Sequence, residues 1–107
     1  MSDYQVLVTQ TAALMIVDAS ETVIEKYKKA VRVIASQPEL GRKYLPENGD
    51  DELPISCRVF ALPGCTKSIY YHIDHHEQTI QILGLIDQRR NPAYRFRDVK
   101  RDDDLRK

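Results

Sequence analysis

The feature that most constrains this chain is a run of three strand-like segments in its third quarter, separated only by tight turns. Ile55 to Ala61 alternates Ile55, Cys57 and Val59 against Ser56, Arg58 and Phe60. Lys67 to Asp74 alternates Ile69, Tyr71 and Ile73 against Ser68, Tyr70 and His72. A period of two is the mark of a strand that turns one face to a core. Thr79 to Ile86 is instead nearly all apolar, as a strand covered on both faces would be. The turns, Leu62-Pro63-Gly64 and Asp74-His75-His76-Glu77, are too short for a crossover, so the three strands predict an antiparallel meander.

Such a sheet needs a covering layer, and the sequence supplies it upstream. Tyr4 to Thr9 is β-branched and aromatic, a predicted first strand. Thr11 to Val17 is a short apolar run read as a short helix. Asp18 is placed to cap a longer helix, with Glu21 in the capping-box position. Beyond it Val23, Tyr27, Ala30, Val31 and Ile34 recur at helical spacing, and Glu25, Lys26, Lys28, Lys29 and Arg32 take the other side. That helix should end before Pro38. Pro38 to Pro54 carries prolines, glycines and the acidic run Glu47-Asn48-Gly49-Asp50-Asp51-Glu52, which reads as a solvated loop. The expected class is α+β: an antiparallel sheet of about four strands with one or two N-terminal helices packed on one face. With 107 residues there is room for one core. A single domain is expected over residues 1–95, with residues 96–107 a charged tail, helical or disordered.

Charge narrows the function. Sixteen Lys and Arg balance sixteen Asp and Glu, so the chain does not coat nucleic acid through bulk charge. The C-terminal half is nonetheless polarised: Arg58, Lys67, Arg89, Arg90, Arg95, Arg97, Lys100 and Arg101 outnumber Asp74, Glu77, Asp87 and Asp98. No apolar run reaches the roughly 18 residues of a membrane helix. Met1-Ser2-Asp3-Tyr4 does not open a signal peptide, so a cytoplasmic protein is expected. Cys57 and Cys65 flank a turn centred near Gly64, which puts Tyr71 opposite Cys57 and leaves Cys65 almost in the turn, so the two are read as free thiols. Without paired Cys/His spacing or a glycine-rich phosphate loop, no metal, cofactor or small-molecule ligand is expected. His72, His75 and His76 read as surface or turn histidines, with no carboxylate evidently placed to orient one.

The order of these elements resembles the RelE/ParE family of toxin–antitoxin toxins, the group that includes plasmid stabilisation proteins. The resemblance runs over residues 4–95. It rests on the strand ending in Thr9, the helix closing on Pro38-Glu39-Leu40-Gly41-Arg42, Arg58 in the following strand, and the arm Ser68-Ile69-Tyr70-Tyr71-His72-Ile73. The last strand then runs into Asp87-Gln88-Arg89-Arg90-Asn91-Pro92, similar to the family's strand-end basic pair, polar residue and proline. Val8 to Pro38 is shorter than the family's helical hairpin, which implies a truncated first helix.

The resemblance implies growth inhibition in bacteria, either as an mRNA interferase that cleaves ribosome-bound mRNA or as an inhibitor of DNA gyrase. It also implies a cognate antitoxin protein as partner. RNA cleavage needs a base for the 2′-hydroxyl, cations for the transition state and a proton donor for the leaving oxygen. By position, the resemblance implies a catalytic set of Arg58, Lys67, Arg89 and Tyr94, with Phe60 standing where the RNases carry a further lysine. Arg90, Arg95, Arg97 and Tyr70 are the corresponding candidates for holding nucleic acid or another target. Alternation about a Gly64-centred turn puts Tyr70 on the Arg58 face and Lys67 on the opposite one. Leu14 to Val17 and the α-helical face at Val23 and Tyr27 are candidate docking surfaces, with core burial the ordinary alternative. The other reading kept open is a binding module of the same fold that has lost toxicity.

Overall fold

The computed structural model describes residues 3–44 and 57–87. Strand β1 (Gln5–Val8) passes through Thr9 into α1 (Gln10–Val17), and α2 (Glu21–Ser36) follows. A 3-10 turn (Pro38–Leu40) then leads to the short β2 (Arg42–Lys43), and β3 (Arg58–Ala61), β4 (Lys67–Asp74) and β5 (Thr79–Asp87) form the meander. The sheet runs β1-β5-β4-β3-β2, antiparallel except where β1 lies parallel to β5. Two helices on a largely antiparallel sheet are the α+β class expected, with one strand more than the four anticipated. The additional strand, β2, has two residues inside the segment read as loop, too few to show any alternation.

Local chemistry sets the helices. The Thr9 hydroxyl accepts from the Ala12 amide at 3.2 Å and donates to the Ile82 carbonyl at 3.0 Å, so one buried side chain caps α1 and ties it to β5. Helix α1 has 8 residues, the short helix expected. The cap of α2 is Ser20, whose hydroxyl accepts from the Val23 amide, and not Asp18. Asp18 instead closes α1, its own amide bonding back to the Leu14 carbonyl at 3.2 Å, so Glu21 has no capping-box partner there. Helix α2 buries Tyr27, Ala30, Ile34 and Ala35, the stripe that its spacing dictates.

Two apolar clusters sandwich the sheet. On the helical side Ala12, Tyr27, Ala30 and Ile34 meet Ile69, Tyr71, Ile80, Ile82 and Leu85. The second cluster joins Cys57, Val59, Tyr70, Leu83 and Ile86, with Met15 and Tyr44 against it. Strand β5 serves both, which is why its sequence lacks alternation. A bulge helps: Tyr70 pairs with Gly84 but Tyr71 with Ile82, so Leu83 is the extra residue. The core positions of β5 are fully enclosed, each large side chain contributing about 1.5–3 kcal/mol.

The β3–β4 register corrects the sequence reading. Ala61 pairs with Ser68 and Arg58 with Tyr71, so the turn is centred between Gly64 and Cys65 and not on Gly64. A half-residue displacement of a hairpin centre shifts the register by one and inverts faces. Arg58 therefore shares a face with Tyr71 and Lys67, while Tyr70 lies opposite Val59 on the other. Gly64, at φ 71°, supplies the left-handed residue this turn needs, and Lys26 of α2 donates to the Pro63 carbonyl at 2.7 Å. Cys57 and Cys65 are free, the first buried and the second half-buried.

Candidate functional site

Of the residues singled out by sequence, Arg58, Lys67 and Tyr70 are described. Arg89, Arg90, Tyr94, Arg95 and Arg97 lie outside the described residues, as does the tail. Tyr70 is 1% exposed and packs edge-on to Tyr44, so it offers no open ring to a base; the packing role is the one it fills. Arg58 and Lys67 share a face but not a place. Tyr71 pairs with Arg58, and Lys67 stands four residues further along the same strand, opposite Asp87. At ~3.3 Å per residue, that is roughly 13 Å along β4.

Arg58 instead organises a polar corner. Its Nη1 donates to the Gly41 carbonyl at 2.6 Å and to the Glu39 carbonyl at 3.3 Å. Beside it the Tyr71 hydroxyl donates to the Pro38 carbonyl at 2.7 Å and accepts from the Gly41 amide at 3.0 Å. A Cβ on Gly41 would stand 2.5 Å from that hydroxyl and 2.9 Å from the Val59 carbonyl, so only glycine lets the chain pass so close. Burial raises the Tyr71 pKa above the usual phenol value, against the lowering influence of the Gly41 amide and the Arg58 charge. The hydroxyl thus stays protonated and able to donate.

The corner continues through His75. Its Nδ1 lies 2.8 Å from the Tyr4 hydroxyl and its Nε2 lies 3.3 Å from the Glu39 carboxylate, with the Tyr4 ring set edge-on to the imidazole. The sequence reading saw no carboxylate positioned for a histidine; Glu39 is one, brought 36 positions along the chain by the fold. His76 turns away toward Glu77. The Glu39–His75–Tyr4 chain is solvent-exposed.

Between this chain and the sheet edge lies a cleft of about 360 Å³, lined by Lys43, Tyr44, Cys57, Arg58, His72, Ile73 and His75. Lys43 and Arg58 are direct cross-strand partners, a like-charge pairing that is unfavourable by itself. Burial pushes the Cys57 thiol up to about 12, so it faces the cleft as an unreactive neutral group. Among the described residues, no three His, Cys, Asp or Glu side chains converge as metal ligands. No described helix is long and apolar enough to cross a membrane. The meeting of Glu39, Tyr4, Lys43 and His75 is not legible in the sequence, because it depends on how β1, β2 and the β4–β5 turn are docked. The one local hint was Pro38-Glu39-Leu40-Gly41, a turn signature directly before a basic pair.

No protein-family model and no curated protein matches the chain. Solved structures do. The isolated RelE toxin of E. coli superposes with a TM-score of 0.61 at 16% identity, over 77% of this chain and 81% of that one. The toxin–antitoxin complex RelBE of E. coli gives 0.60 at 13% identity, over 77% and 93%. The RelBE2 toxin–antitoxin complex of Mycobacterium tuberculosis gives 0.50 at 18% identity, over 79% and 91%. At such identities the likeness is one of architecture. The chain has the fold of the RelE toxins.

Proposed function

We propose that this protein is the toxin of a toxin–antitoxin pair, and that a small antitoxin protein covers it. The observation that carries the reading is the superposition on RelE alone and within antitoxin complexes, over more than three quarters of this chain. The local sequences Arg58, Ser68–Ile73 and Asp87–Pro92 support it independently. Cleavage of ribosome-bound mRNA is the first mechanism, with Arg58 or Lys67 as cation, and Arg89 and Tyr94 as the strand-end cation and proton donor. Arg90, Arg95 and Arg97 would hold the backbone of the target. Inhibition of DNA gyrase is the alternative target, because Arg89-Arg90-Asn91-Pro92 is the more similar to that branch.

One observation favours a second reading, a binding module that keeps the fold without the activity. Arg58 spends one arm of its guanidinium on the Gly41 and Glu39 carbonyls, and Lys67 stands apart from it. Mapping transcript ends genome-wide after induction in a bacterial host separates these readings. Fresh 5′ ends within coding regions, with intact DNA, match the RNase. A DNA-damage response without new ends matches gyrase inhibition, and neither, with folded protein present, matches the module.

A further inference from the structure

The cleft at the β2–β3–β4 edge shares Arg58 with the proposed catalytic set, whereas Lys43, His72 and His75 are outside that set. Its composition is uneven in a useful way. Lys43 and Arg58 bring it two permanent charges, and His72 and His75 two imidazoles. No carboxylate is among its described lining residues. Cross-strand Lys43 and Arg58 repel each other in the bare protein. The two carbonyls at Arg58 engage only Nη1, so the donors on Nε and Nη2 belong to neither of those bonds. An anion with several acceptor oxygens answers both the repulsion and the donor surplus.

Size and floor define the anion further. About 360 Å³ lies in the range of small-molecule sites, commonly ~300–1,000 Å³, and exceeds the needs of a bare ion. Tyr44, Ile73 and the neutral Cys57 give the cleft apolar surface. We propose that this cleft seats a phosphomonoester of nucleotide size, its phosphate between Lys43 and Arg58 and its organic part against Tyr44 and Ile73. The assignment stands on the cleft's own residues and does not depend on toxicity.

Glu39 gives the idea a sign that a folding defect cannot imitate. Its carboxylate meets His75 at the cleft's edge and opposes an incoming anion, whereas the bond it gives Arg58 uses its backbone carbonyl. Glu39→Gln removes the charge and keeps the carbonyl, so binding should tighten, while Lys43→Ala should weaken it. Both side chains are exposed, so each change is about two- to fivefold. The test is a titration of the isotope-labelled full chain, followed by amide and imidazole resonances, with adenosine 5′-monophosphate, inorganic phosphate and adenosine as separate probes. The expected result is saturable shifts at Lys43, Tyr44, Cys57, His72 and Ile73 with the nucleotide, weaker shifts with phosphate, and none with adenosine. Lys28→Ala, on the exposed face of α2, should change nothing. The proposal is overturned by silence up to about 10 mM nucleotide, where even millimolar binding registers. It is equally overturned by shifts centred elsewhere, by equal affinity for phosphate and nucleotide, or by a Glu39→Gln variant that binds no tighter.

Discussion

The β4–β5 ladder and the corner around Gly41 are neighbours held together by different physics. The ladder has eight paired positions and an apolar middle: Ile69, Tyr71, Ile80, Ile82 and Leu85 face the helices, Tyr70, Leu83 and Ile86 the other side. The corner has a two-residue strand, a single 3-10 turn and six polar ties, two each from Arg58, Tyr71 and His75. Apolar burial is non-directional and tolerates imperfect fit, whereas hydrogen bonds at a corner act as an ensemble in which each carbonyl needs its donor. The ladder is therefore the part that stabilises the molecule, and the corner is the part that shapes its cleft.

The largest expected effect tests the first half of that contrast. Ile82→Ala, at a position with no exposure, should cost about 2–5 kcal/mol by denaturant unfolding and lower protection across the whole sheet. Unfolding of the corner alone would show that the ladder is not the common support. Tyr71→Phe should cost less, about 1–3 kcal/mol, because the Pro38 carbonyl and Gly41 amide lose their partner while the ring stays packed. Its hydrogen-exchange signature should be local, with the Gly41 amide opening and Ile80 and Ile82 unchanged. A uniform loss of protection would erase the distinction between the regions.

Alkaline pH separates the regions by another route. The unfolded Cys57 thiol ionises near 9, and in the folded chain burial holds it protonated to about 12. Because the folded value is the higher one, its contribution is complete below pH 9 and declines as pH rises from there toward 12. Burial raises Tyr27 and Tyr71 as well, which adds to the same decline above pH 10. The unfolding midpoint should thus fall as pH rises from 9 toward 12, and Cys57→Ala should delay the onset of that fall. An alkaline limb unchanged by the substitution would mean Cys57 is not the first group involved. The smallest expected effect is that of His75→Ala. Its partners are exposed, so stability should move by under ~1 kcal/mol, and a larger loss would make the corner a structural keystone after all.

What the sequence made legible follows the same division. The α2 stripe at Tyr27, Ala30 and Ile34 and the all-apolar β5 announce themselves because burial imposes a period on the chain. The parallel pairing of β1 with β5 was hidden, since Gln5 and Thr79 are far apart in sequence and nothing in either strand names its partner. The β3–β4 register was hidden for a subtler reason. Strand Arg58–Ala61 alternates correctly on its own, and only the turn's centre decides which side chains of Lys67–Asp74 stand opposite. That half residue moved Lys67 to the Arg58 face and sent Tyr70 into the second cluster. The Glu39–His75–Tyr4 chain needed three elements to be docked before any of its contacts existed.

The central claim is that this RelE-like fold acts as a toxin through its basic strand end. Its most direct test is bacterial growth after tightly controlled induction of the full chain, beside the double substitution Arg89→Ala, Arg90→Ala with both proteins confirmed soluble. The account predicts arrest by the unaltered chain and restored growth with the variant. Normal growth in both cultures would contradict it, and leave a folded member of this architecture whose chemistry lies elsewhere.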